Sequence, residues 1–402
     1  MSEPRVLSIT TGEALLEARE GGLPNYEQRR QAAMADLVEE YVILTRTLGP
    51  ARHRERKLWP TCTVVPSNSA SRRRFLHDGF RIASRLIAEG RINLVSVRDP
   101  FAIGLLGVRL KRAHHVALVV HVMADMLDNP YFTRERLRNR VLNAVAKRVL
   151  ARADTVRVST TVEKAKLDRL APRLGLAPEQ VHHVPFLVEM EPFLAADGRL
   201  VRRRYSAGTR RPIVLSVGRL ERQKDMPTLL RALAIVAERI PEVLLLVVGD
   251  GAERARLQRL ARRLRVARHV EFTGRIDHDE LPAYYGGCDV FAATSIYEGT
   301  CMVLVEAAAA GRPIVATDFA GAHDAVLDGE SGFIVPIGDA LAVAERLIYL
   351  LEHTERRTFG QRGRDHVSAA FDQKALLAGT RTLWEAALEH HETARGPSAP
   401  GG

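Results

Sequence analysis

The sequence predicts an α/β protein made of two Rossmann-like, doubly wound domains in tandem. Three observations carry this. The chain has 402 residues, too long for one ordinary core and comfortable for two domains of roughly 150–200 residues each. In the second half, apolar runs at 213–217, 243–248, 290–293 and 314–316 read as buried parallel strands. Between them lie helical patterns such as 227–239 and 253–264, with Leu229, Leu230, Leu233 and Val236, or Leu257, Leu260 and Leu264, at three- and four-residue spacing. The first half repeats the alternation less cleanly, with strands expected at 6–9, 41–44, 63–65, 94–97, 116–120 and 155–159. Repeated strand–helix units close into a parallel sheet covered on both faces.

Composition shifts set the expected boundaries: an N-terminal domain over 1–194, a linker over 195–210 and a C-terminal domain over 211–370. A helical segment over 371–392 is expected to pack back toward the N-terminal domain, and 393–402 to form a disordered tail. The linker reading rests on AADGRLVRRRYSAGT, which is polar, basic and without periodicity.

Hydrophobic residues make up 46% and charged residues 27%, a globular balance rather than a disordered one. The start MSEPRVLSITTGE shows no apolar region behind a basic one, so no secretory signal is expected. No run approaches about 18 apolar residues, so no membrane span is expected either. Cys62, Cys288 and Cys301 lack metal or redox spacing and read as small buried residues of a cytoplasmic protein. The net charge of +11 is uneven: residues 1–210 carry +14 and residues 211–402 carry −3. A basic half suggests an anionic partner, whether membrane lipid, nucleotide or nucleic acid. Two Arg-rich helices, 71–90 and 131–152, read either as docking sites for a peripheral contact with anionic lipid or as core-packed helices with solvated basic faces.

Ligands of doubly wound sheets sit at the carboxyl ends of the strands, so chemistry is sought after Val217, Val248 and Ala293. In VGRLERQKD, Gly218 allows a tight turn and close backbone approach, and Arg219 and Lys224 place two cations beside it, a pocket suited to a diphosphate. Alone, this is equally a glycine turn with solvated charges. No GxGxxG is present, which argues against a dinucleotide enzyme. In the segment Glu298 to Glu306, Glu298 is expected in a loop and Gly299 at the mouth of an Ala-rich helix. Glu306 is then expected six residues, about 9 Å, further along. Free N–H groups at that helix start favour phosphate, and the two carboxylates can accept bonds from sugar and ribose hydroxyls. Taken alone, Glu306 is as well explained as a capped or paired residue. No His, Cys, Asp and Glu cluster has metal-ligand spacing and the chain is read as lacking an Asp-x-Asp sequence, so neither metal nor cofactor is expected.

From about 211 to 336 the chain resembles the family 4 (group 1) retaining glycosyltransferases of the GT-B fold. The resemblance rests on VGRLERQK, on VVGDG (247–251), on VEFTGR (270–275), on Glu298 and Glu306, and on GESGFIVP (329–336). It implies two Rossmann-like domains facing a central cleft and a nucleotide-diphosphate sugar as co-substrate. It places Gly218, Arg219, Lys224 and Gly249 with Gly299, Thr300, Cys301 and Met302 around the donor diphosphate and sugar. It puts Glu306 on the ribose, Glu298 by the transferred sugar, and the backbone of Arg275 and Ile276 near the base. The family usually reads Gly-Phe-Gly where this chain has Gly299-Thr300-Cys301, which leaves the donor sugar open. The first half resembles the family more loosely. VVHVMADM carries His121, whereas relatives often hold a histidine where Met123 stands; the two positions share a strand face, so His121 is a candidate near the sugar, or an ordinary buried histidine. Asp125 is an acceptor ligand or a helix cap, and Gly21 and Gly22 match a glycine loop facing the acceptor.

The leading expectation is thus a retaining, metal-independent glycosyltransferase acting on a glycan or lipid-linked acceptor in cell-surface glycan or glycolipid synthesis. The alternatives are a nucleotide-sugar epimerase on the same fold and, last, a nucleic-acid binder, for which the 5% aromatic content offers no stacking platform.

Overall fold

The computed structural model describes residues 3–12, 14–16, 24–49, 52–206 and 211–395. The chain divides into two compact units, one of Met1–Leu187 with Gln373–Gly402 and one of Val188–Asp372. The first contains β1 (Arg5–Thr10), β2 (Glu40–Thr45), β3 (Arg56–Trp59), β4 (Cys62–Pro66), β5 (Leu94–Val97), β6 (Ala117–Val122), β7 (Thr155–Val158) and β8 (Val181–His183). Their order is β3-β4-β2-β1-β5-β6-β7-β8, and every pair is parallel except β3 with β4. The winding reverses between β1 and β5, so their carboxyl ends flank the switch point where such sheets bind ligands. The helix Gln373–Arg395 belongs to this unit: Trp384 lies 5.9 Å from the Tyr41 ring, and Thr155 Oγ1 donates to the Leu383 carbonyl at 3.4 Å.

The second unit contains β9 (Ile213–Val217), β10 (Leu244–Val248), β11 (Val270–Gly274), β12 (Val290–Ala293), β13 (Ile314–Thr317) and β14 (Gly332–Val335), ordered β11-β10-β9-β12-β13-β14 and all parallel. Its switch point lies between β9 and β12. The helices Met226–Arg239 and Ala340–Glu352 bury Leu229, Leu233, Val236, Val343 and Leu347 against one face of this sheet.

The sequence reading missed β3, β8, β11 and β14, and these are the four edge strands of the two sheets. An edge strand keeps one flank open, so its residues need not form an apolar run; β3 reads RKLW and is half exposed. The expected linker is corrected. The division falls at Leu187 and Val188, and Arg199–Ser206 is a helix within the second unit, with residues 207–210 outside the described set. Val201 is its buried contact, so close to Gly287 that a Cβ there would lie 2.7 Å from Val201 Cγ1, and Arg202 pairs with Asp289 at 2.8 Å. One buried valine among arginines leaves no periodicity to read. The expected helix over 131–152 is two helices, Pro130–Glu135 and Leu137–Leu150, broken at Arg136, whose backbone is extended. The expected tail at 393–402 begins inside the last helix, which runs to Arg395; residues 396–402 are outside the described set.

Candidate active site

The loops after β9, β10 and β11 are fastened to one another through their backbones. Gly218 N donates to the Val248 carbonyl at 2.9 Å, Gly249 N to the Gly274 carbonyl at 2.8 Å, and Leu220 N to the Asp250 carbonyl at 2.9 Å. Gly249 has a φ of +133°, and a Cβ there would lie 2.0 Å from the Gly218 carbonyl oxygen, so only glycine permits this approach. The loop from Gly218 to Lys224 is thereby held open at the carboxyl edge of the sheet.

Lys224 ends a short turn, Arg222–Lys224, followed by Asp225 in the left-handed region at φ 41°. Thr294 Oγ1 donates to the carbonyls of Lys224 and Asp225 at 3.1 and 3.0 Å, and Ile296 N donates to the Gln223 carbonyl at 2.8 Å, so the end of β12 fixes the turn. The lysine stem crosses Gly218, whose missing Cβ would sit 3.3 Å from Lys224 Cε. Its ammonium pairs with Glu298. Burial is the largest influence and lowers the ammonium's pKa, but the charge of Glu298, the neighbouring Cys301 and the hydrogen bond to Glu298 together outweigh it; the net direction is upward, so Lys224 stays charged. Cys301 lies beside this pair, its thiol pushed well up by burial and then by Glu298. Cys62 and Cys288 are also buried, with thiols pushed up to about 12 by burial, which fits packing residues. Arg219 behaves differently. Its side chain is 77% exposed and pairs with Glu221 at 3.1 Å, so of the two cations singled out in this loop only Lys224 is enclosed.

The helix expected to open at Gly299 begins at Met302 and runs to Ala309, with Cys301 at the cap position and no side-chain capping bond. Gly299 is instead held in the preceding loop, where a Cβ on Gly321 would lie 2.0 Å from the Gly299 carbonyl oxygen. Glu306 therefore lies about 6 Å beyond the first helical residue. It is 2% exposed, and both carboxylate oxygens are engaged: Tyr285 donates its hydroxyl to Oε2 at 2.7 Å, and His278 Nε2 lies 3.1 Å from Oε1. The Phe193 ring packs edge-on against both partners, at 5.6 Å from His278 and 5.3 Å from Tyr285. Each oxygen has a second lone pair beyond the one these bonds use. Sequence reasoning missed His278 and Tyr285, which no spacing announced. The reading that the chain lacks an Asp-x-Asp sequence is wrong: Asp277-His278-Asp279 is one. Its histidine turns onto Glu306, and among the described residues no three His, Cys, Asp or Glu side chains gather as a metal site. Arg275, exposed, and Ile276, half-buried, follow β11.

In the first unit, His121 lies on β6 and is buried, with Nε2 2.8 Å from Ser96 Oγ and no partner for Nδ1. Burial, then the charges of Arg157 and Arg98, hold its pKa well below the usual range, so it is neutral. The strand ends at Val122, so Met123 falls past it and the shared-face argument does not reach that residue. Asp125 caps no helix: it pairs with Lys166 and accepts from Asn129 Nδ2 at 2.8 Å, while Asn129 caps Pro130–Glu135. Gly21 and Gly22 lie outside the described residues.

Residues 199–366 match the family described as Glycosyl transferases group 1, and residues 21–186 match the Glycosyl transferase 4-like domain. A GDP-mannose-dependent alpha-(1-6)-phosphatidylinositol monomannoside mannosyltransferase of Mycolicibacterium smegmatis is 31% identical over 306 residues, covering 74% of this chain and 75% of that protein. The chain belongs to the family 4, group 1, glycosyltransferases. A D-inositol 3-phosphate glycosyltransferase 2 of Catenulispora acidiphila is 32% identical over 60% of this chain and 58% of its own length. Among solved structures, a sucrose-phosphate synthase of Thermosynechococcus elongatus matches with a TM-score of 0.79 at 24% identity, covering 95% of this chain and 98% of that one. Anabaena HepE in complex with UDP and glucose matches at a TM-score of 0.70 and 19% identity, covering 98% and 100%. These likenesses give this glycosyltransferase the GT-B fold, with two parallel-sheet domains.

Proposed function

We propose that this glycosyltransferase moves a hexose-type sugar from a nucleotide-diphosphate donor to a glycan or lipid-linked acceptor, with retention at the anomeric carbon and without a divalent ion. The observation that carries the reading is the Lys224 ammonium, charged and held between the Gly218 turn and Glu298 at the carboxyl end of β9. There it meets the charge that grows on a departing diphosphate, with Arg219 swinging in from solvent. Glu298, tied to Lys224, is a poor nucleophile, which favours displacement on one face of the sugar over a double displacement. The C1–O bond to phosphate breaks, the C1–O bond to the acceptor forms, and the acceptor proton passes to the phosphate oxygen. The lone pairs left on Glu306 suit ribose hydroxyls. Activity on a glycolipid or cell-surface glycan draws support from the relative of Mycolicibacterium smegmatis, whose name specifies phosphatidylinositol monomannoside.

Thermal shift and hydrolysis across UDP-, GDP- and ADP-sugars, with and without EDTA, test the donor reading, and NMR of the product anomer tests retention. Stabilisation by one donor class and chelator-resistant turnover are expected. An altered free nucleotide sugar from donor alone would replace transfer by epimerisation, and activity restored only by Mg²⁺ would place a metal in the site.

A further inference from the structure

We propose that the solvent face of residues 131–148 in the first unit is a docking surface for an anionic lipid bilayer. The two Arg-rich segments read from the sequence differ once folded. In the helix Arg72–Ala88, Phe75, Ala83 and Leu86 are buried and Leu76, Phe80, Ile82 and Ile87 pack against the core, so its basic face carries no exposed large hydrophobic residue. The second segment turns apolar residues outward: Tyr131 is 49% exposed, Leu137 78% and Val141 65%. Leu137, Val141 and the exposed Ala144 follow one another at four- and three-residue spacing, a stripe along the outer side of the helix Leu137–Leu150, whose inner side buries Ala146, Val149 and Leu150.

Arg134, Arg136, Arg138, Arg140 and Arg148 are exposed around this stripe. Glu135 is the one carboxylate between residues 129 and 153, and it lies 4.0 Å from Arg136. The first turn of the helix Leu137–Leu150 contains no acidic residue and its cap makes no side-chain bond, so Arg136, Arg138 and Arg140 oppose its dipole, whereas Arg134 and Arg148 sit in the last turns of their helices and complement theirs. Local stability does not account for the three at the N-terminus. The face is firmly mounted: Asn139 Nδ2 donates to the Phe132 carbonyl at 2.8 Å, and Asn143 and Asp128 exchange bonds at 2.8 and 3.0 Å. An apolar stripe flanked by arginines matches the boundary between acyl chains and phosphates, where leucine and valine leave water and guanidiniums meet lipid phosphate. A second copy of the chain would bring arginine against arginine.

Each arginine near an anionic surface favours binding about fivefold, so three together set roughly a hundredfold. The test is co-sedimentation of the full chain with phosphatidylcholine vesicles, with and without phosphatidylglycerol, across salt. Binding is expected only with phosphatidylglycerol and should fall as salt rises. R134Q/R138Q/R140Q should lower partitioning about a hundredfold. L137S/V141S should lower it about tenfold or more without changing the melting temperature, because these side chains are already in water. R72Q/R73Q/R74Q should leave it within about threefold, since that helix turns no large apolar residue outward to seat its charges at the acyl boundary. Donor hydrolysis in all three variants should match the parent, which separates failure here from failure of the donor site. Equal binding to neutral vesicles, no binding to either, a larger loss from the 72–74 variant, or dimers that L137S/V141S dissolves would each overturn the proposal.

Discussion

Replacing Lys224 by alanine should damage both folding and transfer, and a second substitution should separate the two losses. The ammonium and Glu298 are largely enclosed, with side-chain exposures of 22% and 11%. Removing the lysine strands a carboxylate beside the buried Cys301 thiol, with no cation to offset it. A fully buried pair broken in this way costs about 3–5 kcal/mol, and the residual exposure here reduces that to about 2 kcal/mol. For a unit of this size that is a fall of about 4–8 °C in melting temperature. Lys224→Ala with Glu298→Gln removes the stranded charge and should recover most of the stability. It should not recover transfer, because the cation facing the diphosphate is still missing; a preorganised charge of this kind is worth about 10²–10³ in kcat. Calorimetry and steady-state kinetics on the parent, the single and the double variant make the comparison. A single variant with parental kcat, or a double variant whose activity returns with its stability, would refute the assignment of Lys224 to the leaving group.

Three further outcomes follow from the geometry. Glu306→Gln keeps an acceptor for Tyr285 and should leave the fold intact, yet weaken donor affinity about ten- to a hundredfold by titration calorimetry, while Glu306→Ala also strands Tyr285 and should destabilise the fold by about 1–3 kcal/mol. Gly249→Ala drives a methyl into the Gly218 carbonyl and should lower unfolding free energy in urea by more than about 3 kcal/mol. Glu163 gives a pH signature. Burial pushes its carboxyl from an ordinary 4.5 up to about 7, so the folded state prefers the neutral acid; the stability this brings is complete below about 4.5 and is lost as pH rises through 7, about 3 kcal/mol in all. Glu163→Gln, which can still accept from Ser159 and Thr160, should flatten that loss in denaturation series across this range.

The sequence by itself determined the parallel core of both sheets and the loops where chemistry is sought. Strands such as β5, β9 and β12 are buried on both faces, so nearly every residue is apolar, Ser96 and Ser216 being the exceptions, and the run is visible without a partner. Gly218, Lys224, Glu298 and Glu306 could be singled out because turn geometry and charge are local properties, while the roles expected of them came only from the resemblance to the family. The edge strands were not, since a strand with one open flank is defined by its neighbour's hydrogen bonds and not by its own side chains. Nor was the helix Arg199–Ser206, whose fold hangs on Val201 meeting Gly287, two positions far apart in the chain. The tertiary structure alone paired Lys224 with Glu298 while leaving Arg219 in solvent, gave Glu306 its Tyr285 and His278, and buried His121 against Ser96. It also told apart two Arg-rich helices of similar composition, because which side of a helix meets the core depends on the surface it packs against, and no stretch of sequence contains both.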